Sequence, residues 1–155
     1  MNGTEEARRV ADLVLRAAGG PIAVQVCWPL ASDGGTTPPL FVLLGDASRS
    51  GRARADDDRL ARSLCGRLGA VVLCVPWATR DAGGRRSALA RAEAALHWSA
   101  DHADELDADP ERLVLGGRGA GAAAASALAR RASVRGWPRL GRPVLLVDEQ
   151  LGVGA

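Results

Sequence analysis

The chain has 155 residues, of which 47% are hydrophobic and 25% charged, a composition typical of one soluble globular domain. A net charge of +2 argues against a polyanionic partner, and 3% aromatic residues are too few for a platform that stacks nucleic-acid bases. All basic residues are Arg, which together with abundant Ala and Gly indicates a GC-rich bacterial genome. We therefore expect a single domain over residues 1–155 that does not bind nucleic acid.

Signals for export, disulfides and metal binding are all weak. The opening "MNGTEEARRVADLV" has no apolar core, and no apolar run approaches the ~20 residues that span a membrane, so we expect a cytoplasmic protein without membrane contact. Cys27, Cys65 and Cys74 lack paired spacing, which argues against a disulfide framework and favours buried core thiols. Because no Cys/His cluster has zinc spacing, we expect neither a metal nor a cofactor.

The first third of the chain predicts a helix followed by two strands. In "NGTEEARRVADLVLRAAGG", Asn2 and Glu5 form a capping-box pattern and a double glycine follows, which together predict an N-terminal helix over residues 1–20. Partial alternation in "IAVQVCW", residues 22–28, predicts a half-buried strand. The continuous apolar run "LFVLLG", residues 40–45, predicts a strand covered on both faces.

The remaining chain alternates helices with strands. The predicted helices cover residues 56–69, 87–107 and 120–132, the predicted strands cover residues 70–77, 112–117 and 141–148, and residues 149–155 are predicted to be a flexible tail. The acidic run "DDDR", Asp56 to Arg59, reads as a solvated helix N-terminus. The alternation predicts an α/β fold, a three-layer sandwich with a mostly parallel sheet of about five strands.

Two stretches carry a more specific pattern. "GRLGAVVLCVPW" is an apolar strand with a polar exit, and "ALHWSADHADELDADPERLVLGGRGAGAAAA" has a helical Trp, then Asp-Pro, a strand and a glycine-rich turn. Both resemble the α/β-hydrolase fold of the hormone-sensitive-lipase-like esterases. The positions that match the family pattern are Trp98, Asp109, Pro110, Arg112, Gly117, Ala120 and Gly121. The resemblance implies a truncated domain that corresponds to the N-terminal half of that fold.

The functional residues of the resembled family are replaced here. The nucleophile elbow, where the family carries an acid followed by the catalytic serine, reads Gly117, Arg118, Gly119, Ala120 and Gly121. The oxyanion loop, where the family has His-Gly-Gly, reads Gly45, Asp46, Ala47 and Ser48. The Asp-Tyr-Arg motif reads Pro-Trp-Ala, and the chain stops where the strands bearing the catalytic acid and histidine would follow. Acyl transfer needs an oxygen nucleophile and a base, so the resemblance predicts no serine-esterase activity.

Several readings of the glycine turn remain open. Its backbone N–H groups and the following helix dipole favour an anion or a carbonyl oxygen, but the glycines could equally serve only the tight turn and close packing. We expect Gly119 to have a positive φ. Ser48, Ser50 and Cys74 are alternative nucleophiles without a visible base, and we expect His97 and His102 to be structural.

The leading hypothesis for function is a pseudoenzyme, a catalytically degenerate hydrolase-like protein that acts as a binding or assembly module, alone or with an enzyme partner. A first alternative is an enzyme of unorthodox chemistry that acts on a small acyl or polyketide-like substrate above Gly119. A second alternative is a dinucleotide binder, because Gly117, Gly119 and Ala122 fit the G-x-G-x-x-A fingerprint.

The last predicted strand suggests a route to assembly. Its apolar residues are Val144, Leu145, Leu146 and Val147, and in the resembled fold two more strands follow it. An exposed apolar edge is a pairing liability that proteins cover, and a two-fold arrangement is the commonest way to cover it with a second copy. We therefore expect a homodimer through this strand, or a protein partner at the same edge.

Overall fold

A computed structural model describes residues 9–17, 19–30, 35–46, 51–77, 84–141 and 144–146. The strands are β1 Arg9–Ala17, β2 Gly20–Trp28, β3 Pro39–Leu44, β4 Val71–Val75, β5 Asp109–Arg118 and β6 Val144–Leu146. The helices are α1 Gly51–Leu68, α2 Gly84–His102 and α3 Ala120–Arg135, and a 3₁₀ turn, Ala103–Leu106, follows α2.

The strands form one mixed sheet in the order β1-β2-β4-β3-β5-β6. β4, β3, β5 and β6 run parallel, whereas β1 and β2 run antiparallel at one side. The predicted α/β class and mostly parallel sheet are confirmed, with six strands among the described residues where about five were expected. Because parallel strands end at the same edge, the residues that follow β3, β4 and β5 are neighbours.

The predicted N-terminal helix over residues 1–20 is wrong for the part of it that the structure describes. Residues Arg9–Ala17 form β1, which pairs with β2 along its whole length, from Arg9 opposite Trp28 to Ala17 opposite Gly20. The double glycine that reads as a helix stop instead lies at the hairpin turn, where Gly20 has a φ of +120°. The physical reason is burial with a period of two: the residues on one face that pack on the core are Ala11, Leu13, Leu15 and Ala17.

Helices cover both faces of the sheet, which completes the predicted three layers. On β3, Leu40, Val42 and Leu44 pack with α2 and α3 on one face, and Phe41 and Leu43 pack with α1 on the other. Every residue of β4 is buried, as a strand covered on both sides requires. The sheet is therefore a rigid platform whose carboxyl edge carries the candidate site.

The three thiols lie in the core, as the sequence predicts. Cys27, Cys65 and Cys74 are free and buried, and all belong to the apolar cluster between the sheet and α1. Across the described segments, none of the helices is long and apolar enough to cross a membrane.

Candidate functional site

The turn between β5 and α3 is a sharp elbow with a glycine at its tip. β5 ends at Arg118, α3 begins at Ala120, and Gly119 between them has φ +57° and ψ −126°. This conformation is costly for any residue with a Cβ, so the positive φ expected of Gly119 is present and explains why a glycine stands there. The elbow presents the first N–H groups of α3 at the carboxyl edge of the sheet.

Two further glycines bring α3 close to the sheet. A Cβ on Gly117 would collide with the backbone of Gly121, and a Cβ on Gly121 would collide with the backbone of Leu44 at the end of β3. Close packing of helix and strand therefore accounts for Gly117 and Gly121. It does not account for Gly119, whose surroundings are different.

The space beside Gly119 is filled by a carboxylate. A Cβ on Gly119 would collide with the carboxyl group of Asp46, which follows β3. The N–H of Ala120 donates a hydrogen bond to Asp46 Oδ1 at 3.1 Å, so this carboxylate caps the N-terminus of α3 from a neighbouring segment. Negative charge is favoured at that end of a helix.

A buried ion pair lies next to the elbow and the segment that follows β3. Arg118 Nε donates to Asp57 Oδ1 at 2.7 Å, and their side chains are only 6% and 3% exposed. The N–H of Asp46 donates to Asp57 Oδ2 at 2.9 Å, which links α1 to the segment after β3. A Cβ on Gly45 would collide with the Asp57 carboxyl group, so this glycine makes room for the ion pair.

The charge state of Asp57 reflects two opposing effects. Burial raises the pKa of the Asp57 carboxyl, while hydrogen bonds from Arg118 and from the Asp46 backbone oppose that rise. The charged partner at 2.7 Å is what makes an ionised carboxylate tolerable there. Asp57 therefore anchors both the Arg118 side chain and the Asp46 backbone.

The other candidate groups are occupied by structural contacts. The ring of His97 lies 4.9 Å from the ring of Trp137, and His102 stacks on Trp98 with Nδ1 2.8 Å from the Trp98 carbonyl oxygen. Burial raises the pKa of Cys74 far above that of a free thiol, which leaves it protonated and a poor nucleophile. Ala47, Ser48 and Ser50 lie outside the described residues.

Cys74 and Asp57 also line a cleft next to β1 and β2. Its volume is about 360 Å³, and its polar lining comes from Asp12, Gln25, Asp57 and Asp58. The described residues contain no group of three or more His, Cys, Asp or Glu side chains arranged to hold a metal ion.

The predicted interface residues fall on the last strand of the sheet. Val144, Leu145 and Leu146 form β6, parallel to β5, with Val144 opposite Gly116 and Leu146 opposite Arg118. Within the part of the chain that the structure describes, β6 is an edge strand, paired on one side by β5. Val147 lies outside the described residues.

A parallel β4-β3-β5-β6 core, helices on both faces and a strand–elbow–helix turn at the carboxyl edge define an α/β hydrolase fold. Residues 47–148 match the alpha/beta hydrolase fold family, and the chain belongs to it. The resemblance to hormone-sensitive-lipase-like esterases is thereby confirmed. Gly119 lies at the tip of the elbow between β5 and α3 of this fold.

Three proteins similar to this chain are named as esterases. Esterase LipI of Mycobacterium tuberculosis is 28% identical over 131 residues, which cover 84% of this chain and 41% of that protein. A thermostable esterase from Pseudomonas putida has a TM-score of 0.71 and 28% identity, and the match covers 85% of this chain and 41% of that one. A hyperthermophilic esterase from the archaeon Pyrobaculum calidifontis has a TM-score of 0.75 and 27% identity, covering 88% and 43%. The chain thus spans less than half the length of these relatives.

Sequence reasoning found the elbow but missed the two carboxylates that organise it. Asp57 belongs to the "DDDR" run that reads as a solvated helix N-terminus, yet it is buried with 2% of its surface exposed. The signal that could have found it is Arg118: a charge at the end of an apolar strand requires a buried acid as partner. The sequence predicts that Asp46 belongs to the oxyanion loop, but its contact with Ala120 depends on the packing of β3 beside β5.

Proposed function

We propose that this chain is a catalytically degenerate member of the α/β hydrolase family that acts as a binding or assembly module rather than as an esterase. One observation carries the proposal: residue 119 has no side chain, and the Asp46 carboxylate takes the space where a nucleophile would project. The N–H of Ala120 is committed to the same carboxylate.

The chemistry of acyl transfer makes this arrangement unfavourable for hydrolysis. In this fold the N–H after the nucleophile helps to stabilise the oxyanion of the tetrahedral intermediate. Here that donor is bonded to a carboxylate, whose charge would repel a developing oxyanion. The elbow therefore supplies neither an attacking oxygen from residue 119 nor a free donor at Ala120.

Hydrolysis of a short p-nitrophenyl ester, followed by labelling with a fluorophosphonate probe, tests the proposal. We expect turnover no faster than that of a heat-denatured control and no labelled serine. We also expect Gly119→Ser to stay inactive, because the Asp46 carboxylate occupies the space its Cβ needs. Turnover with serine labelling would refute the proposal. Turnover without labelling would instead support an enzyme of unorthodox chemistry at the elbow.

We further propose that assembly uses the outer edge of β6, which no other described strand pairs with, and that the occupant is a second copy of the chain. An apolar edge strand is a template for pairing, and an antiparallel pair of β6 strands would continue the sheet across a two-fold axis. Static light scattering during size exclusion, at tens of micromolar protein, would then give twice the mass of one chain.

Leu145→Arg and Leu146→Arg, made separately, locate the interface. Successive strand residues point to opposite faces, so at least one of the two variants should dissociate the dimer. Val14→Arg is the matched control, because Val14 is an apolar residue that is 62% exposed and lies on β1, at the opposite end of the sheet from β6. A monomer for the unmodified chain, or dissociation by the control alone, would refute this interface.

The elbow geometry disfavours the dinucleotide alternative. A pyrophosphate bound through a G-x-G-x-x-A turn would sit at the N-terminus of the following helix. In this chain the Asp46 carboxylate holds that position, and its charge would repel a phosphate. We expect no rise in melting temperature on addition of NAD or NADP, and a saturable rise would restore the alternative.

A further inference from the structure

A cleft beside the β1–β2 hairpin is large enough for a small organic molecule. Its volume is about 360 Å³, within the range of binding sites for such molecules. The hairpin forms one wall, the first half of α1 forms another, and the end of β4 contributes the rest. The apolar lining includes Leu13, Val14, Ala23 and Pro76. An apolar group of a ligand can therefore pack in this hairpin cleft.

Among the described residues, the charged groups that line the hairpin cleft are all acidic. The charge of Asp57 is offset by its ion pair with Arg118. Neither Asp12 nor Asp58 has an ion pair with a described residue. The effect reaches the wall of the cleft, where burial raises the pKa of Cys74 and the charges of Asp57 and Asp58 raise it further. The cleft therefore has a negative electrostatic potential, which favours a cation and disfavours an anion.

One acceptor in the lining lacks a donor. Gln25 lies opposite Asp12 in the β1–β2 ladder, and its Nε2 donates to Asp12 Oδ1 at a long 3.5 Å, which sets the orientation of the amide because a carboxylate would repel its oxygen. The other amide atom, Gln25 Oε1, is buried and has no hydrogen-bond partner among the described residues. A buried acceptor without a donor is unfavourable, and native proteins satisfy such atoms with water or a ligand. Because the last torsion of a glutamine side chain is broad, a small rotation brings this oxygen to a donor in the cleft.

We propose that the hairpin cleft binds a small organic cation, a primary ammonium group carried on a short apolar chain. An ammonium group has three donors and no acceptor, which matches the Gln25 amide oxygen and the carboxylates of Asp12 and Asp58. The apolar chain of the ligand packs against Val14 and Pro76. This site is separate from the elbow and from β6, so the inference holds whether or not the chain hydrolyses esters.

Titration of the unmodified chain with n-butylammonium chloride tests the proposal. In two-dimensional ¹⁵N–¹H spectra at constant ionic strength, the side-chain amide signals of Gln25 should shift in a saturable way. For so small a cation we expect a Kd on the order of 1 mM. Gln150 is the other glutamine of the chain, and its signals should not follow the same curve.

Three added compounds separate the contributions to binding. Sodium chloride tests for a general salt effect, 1-butanol has the apolar chain without the charge, and tetramethylammonium has the charge without a donor. None of the three should give the saturable shift of Gln25, because the site requires both a positive charge and hydrogen-bond donors.

Variants of the lining locate the site. Gln25→Met removes the unpaired acceptor and should weaken binding of butylammonium by about tenfold. Asp58→Asn removes a partly exposed charge and should weaken it by about two- to fivefold. Backbone amides of β1 and β2 report binding in Gln25→Met. Asp56→Asn is the matched control, because it removes a carboxylate of the same helix that pairs with Arg59 and does not line the cleft, and it should leave the Kd unchanged.

Several results would overturn the inference. If butylammonium causes no saturable shift of Gln25, water alone satisfies its amide oxygen and the cleft is not a cation site. An equal response to tetramethylammonium or to sodium chloride would mean that the cation is attracted by surface charge without a defined donor site. Equal weakening by Asp56→Asn and Asp58→Asn would lead to the same conclusion. If Gln25→Met fails to fold, Asp58→Asn and its control decide, since the Asp58 side chain has no hydrogen bond to a described residue.

Discussion

The β5–α3 elbow and the β1–β2 hairpin lie in different parts of the same sheet and are specified in different ways. At the elbow, Gly117, Gly119 and Gly121 follow one another within five residues, and each is required by a backbone that comes close or turns sharply. In the hairpin, β1 gains its conformation from pairing with β2 along nine positions and from burial of alternate residues. One region is encoded locally, and the other depends on what it pairs with.

The buried pair beneath the elbow should show the largest effect. Arg118→Met would leave the Asp57 carboxyl buried without its guanidinium partner, and breaking such a pair typically costs about 3–5 kcal/mol. Urea denaturation, which gives the free energy of unfolding, measures the loss.

A second substitution separates loss of the partner from loss of packing. Arg118→Met combined with Asp57→Leu replaces both charges by apolar groups, so it should be more stable than Arg118→Met alone. It need not match the unmodified chain, because the Asp46 N–H loses its acceptor. If the free energy of unfolding of Arg118→Met alone lies within about 1 kcal/mol of that of the unmodified chain, the burial of Asp57 does not depend on Arg118.

The next largest loss of stability is expected in the hairpin, where buried and exposed residues alternate along β1. Leu15 is 1% exposed and Val14 is 62% exposed, although they are adjacent. Leu15→Ala should lower the free energy of unfolding by about 2–5 kcal/mol, the usual range for a buried leucine. Val14→Ala should change it by less than about 0.5 kcal/mol. A helix in this segment would place Val14 on the same face as Val10, so a large cost for Val14→Ala would argue against β1.

These two regions also show which parts of the fold could be predicted from the sequence alone. The elbow is visible as a strand, a run of glycines and an alanine-rich helix, and Gly119 is correctly expected to have a positive φ. The same local reasoning fails at β1, because a double glycine also fits a hairpin turn and β2 supplies the deciding hydrogen bonds. Local propensity is a weak guide when a strand partner is available.

The carboxylates of the site could not be predicted because their partners are remote in the sequence. Asp46 reaches Ala120 across 74 positions, and Asp57 reaches Arg118 across 61. Both contacts exist because β3 and β5 are neighbours and α1 packs beneath them, which is a property of the sheet order. A charged residue at the end of an apolar strand, such as Arg118, indicates that an acidic partner exists. The sequence alone does not distinguish which of several acidic residues is that partner.

Substitution of two glycines with positive φ, one in each region, should give the third largest loss of stability and allows a direct comparison of the elbow with the hairpin. Gly119→Ala should cost about 1–3 kcal/mol in backbone strain, plus a collision between its Cβ and the Asp46 carboxyl. Gly20→Ala, at φ +120° in the hairpin, should show strain alone, because its Cβ would meet nothing within 4 Å.

The collision term can be isolated with a double-mutant cycle. In an Asp46→Ala background the cost of Gly119→Ala should fall, with a coupling of about 0.5–3 kcal/mol between the two sites, whereas the cost of Gly20→Ala should stay the same. If the losses of stability caused by Asp46→Ala and Gly119→Ala simply add, the Asp46 carboxylate can move away from a Cβ at position 119 without cost.

The smallest effect is expected from an ion pair that lies near the hairpin turn. Glu93 on α2 accepts from Arg131 of α3 at 2.9 Å and lies 3.5 Å from Arg135, but both arginines are about half exposed, at 44% and 58%. Glu93 also lines a shallow cavity beside Gly19 and Gly20 at the turn. Pairs of this kind contribute about 0–1 kcal/mol, because water screens the charges and long side chains lose freedom.

Glu93→Gln should therefore lower the free energy of unfolding by less than about 1 kcal/mol, and the difference should shrink further at high salt. Arg118→Met measured in the same salt series is the matched comparison, since a buried pair is screened much less and its cost should persist. Equal salt dependence for the two variants would mean that the Arg118–Asp57 pair is open to solvent. A large, salt-resistant cost for Glu93→Gln would mean that the contact between α2 and α3 depends on a charge pair that is shielded from solvent.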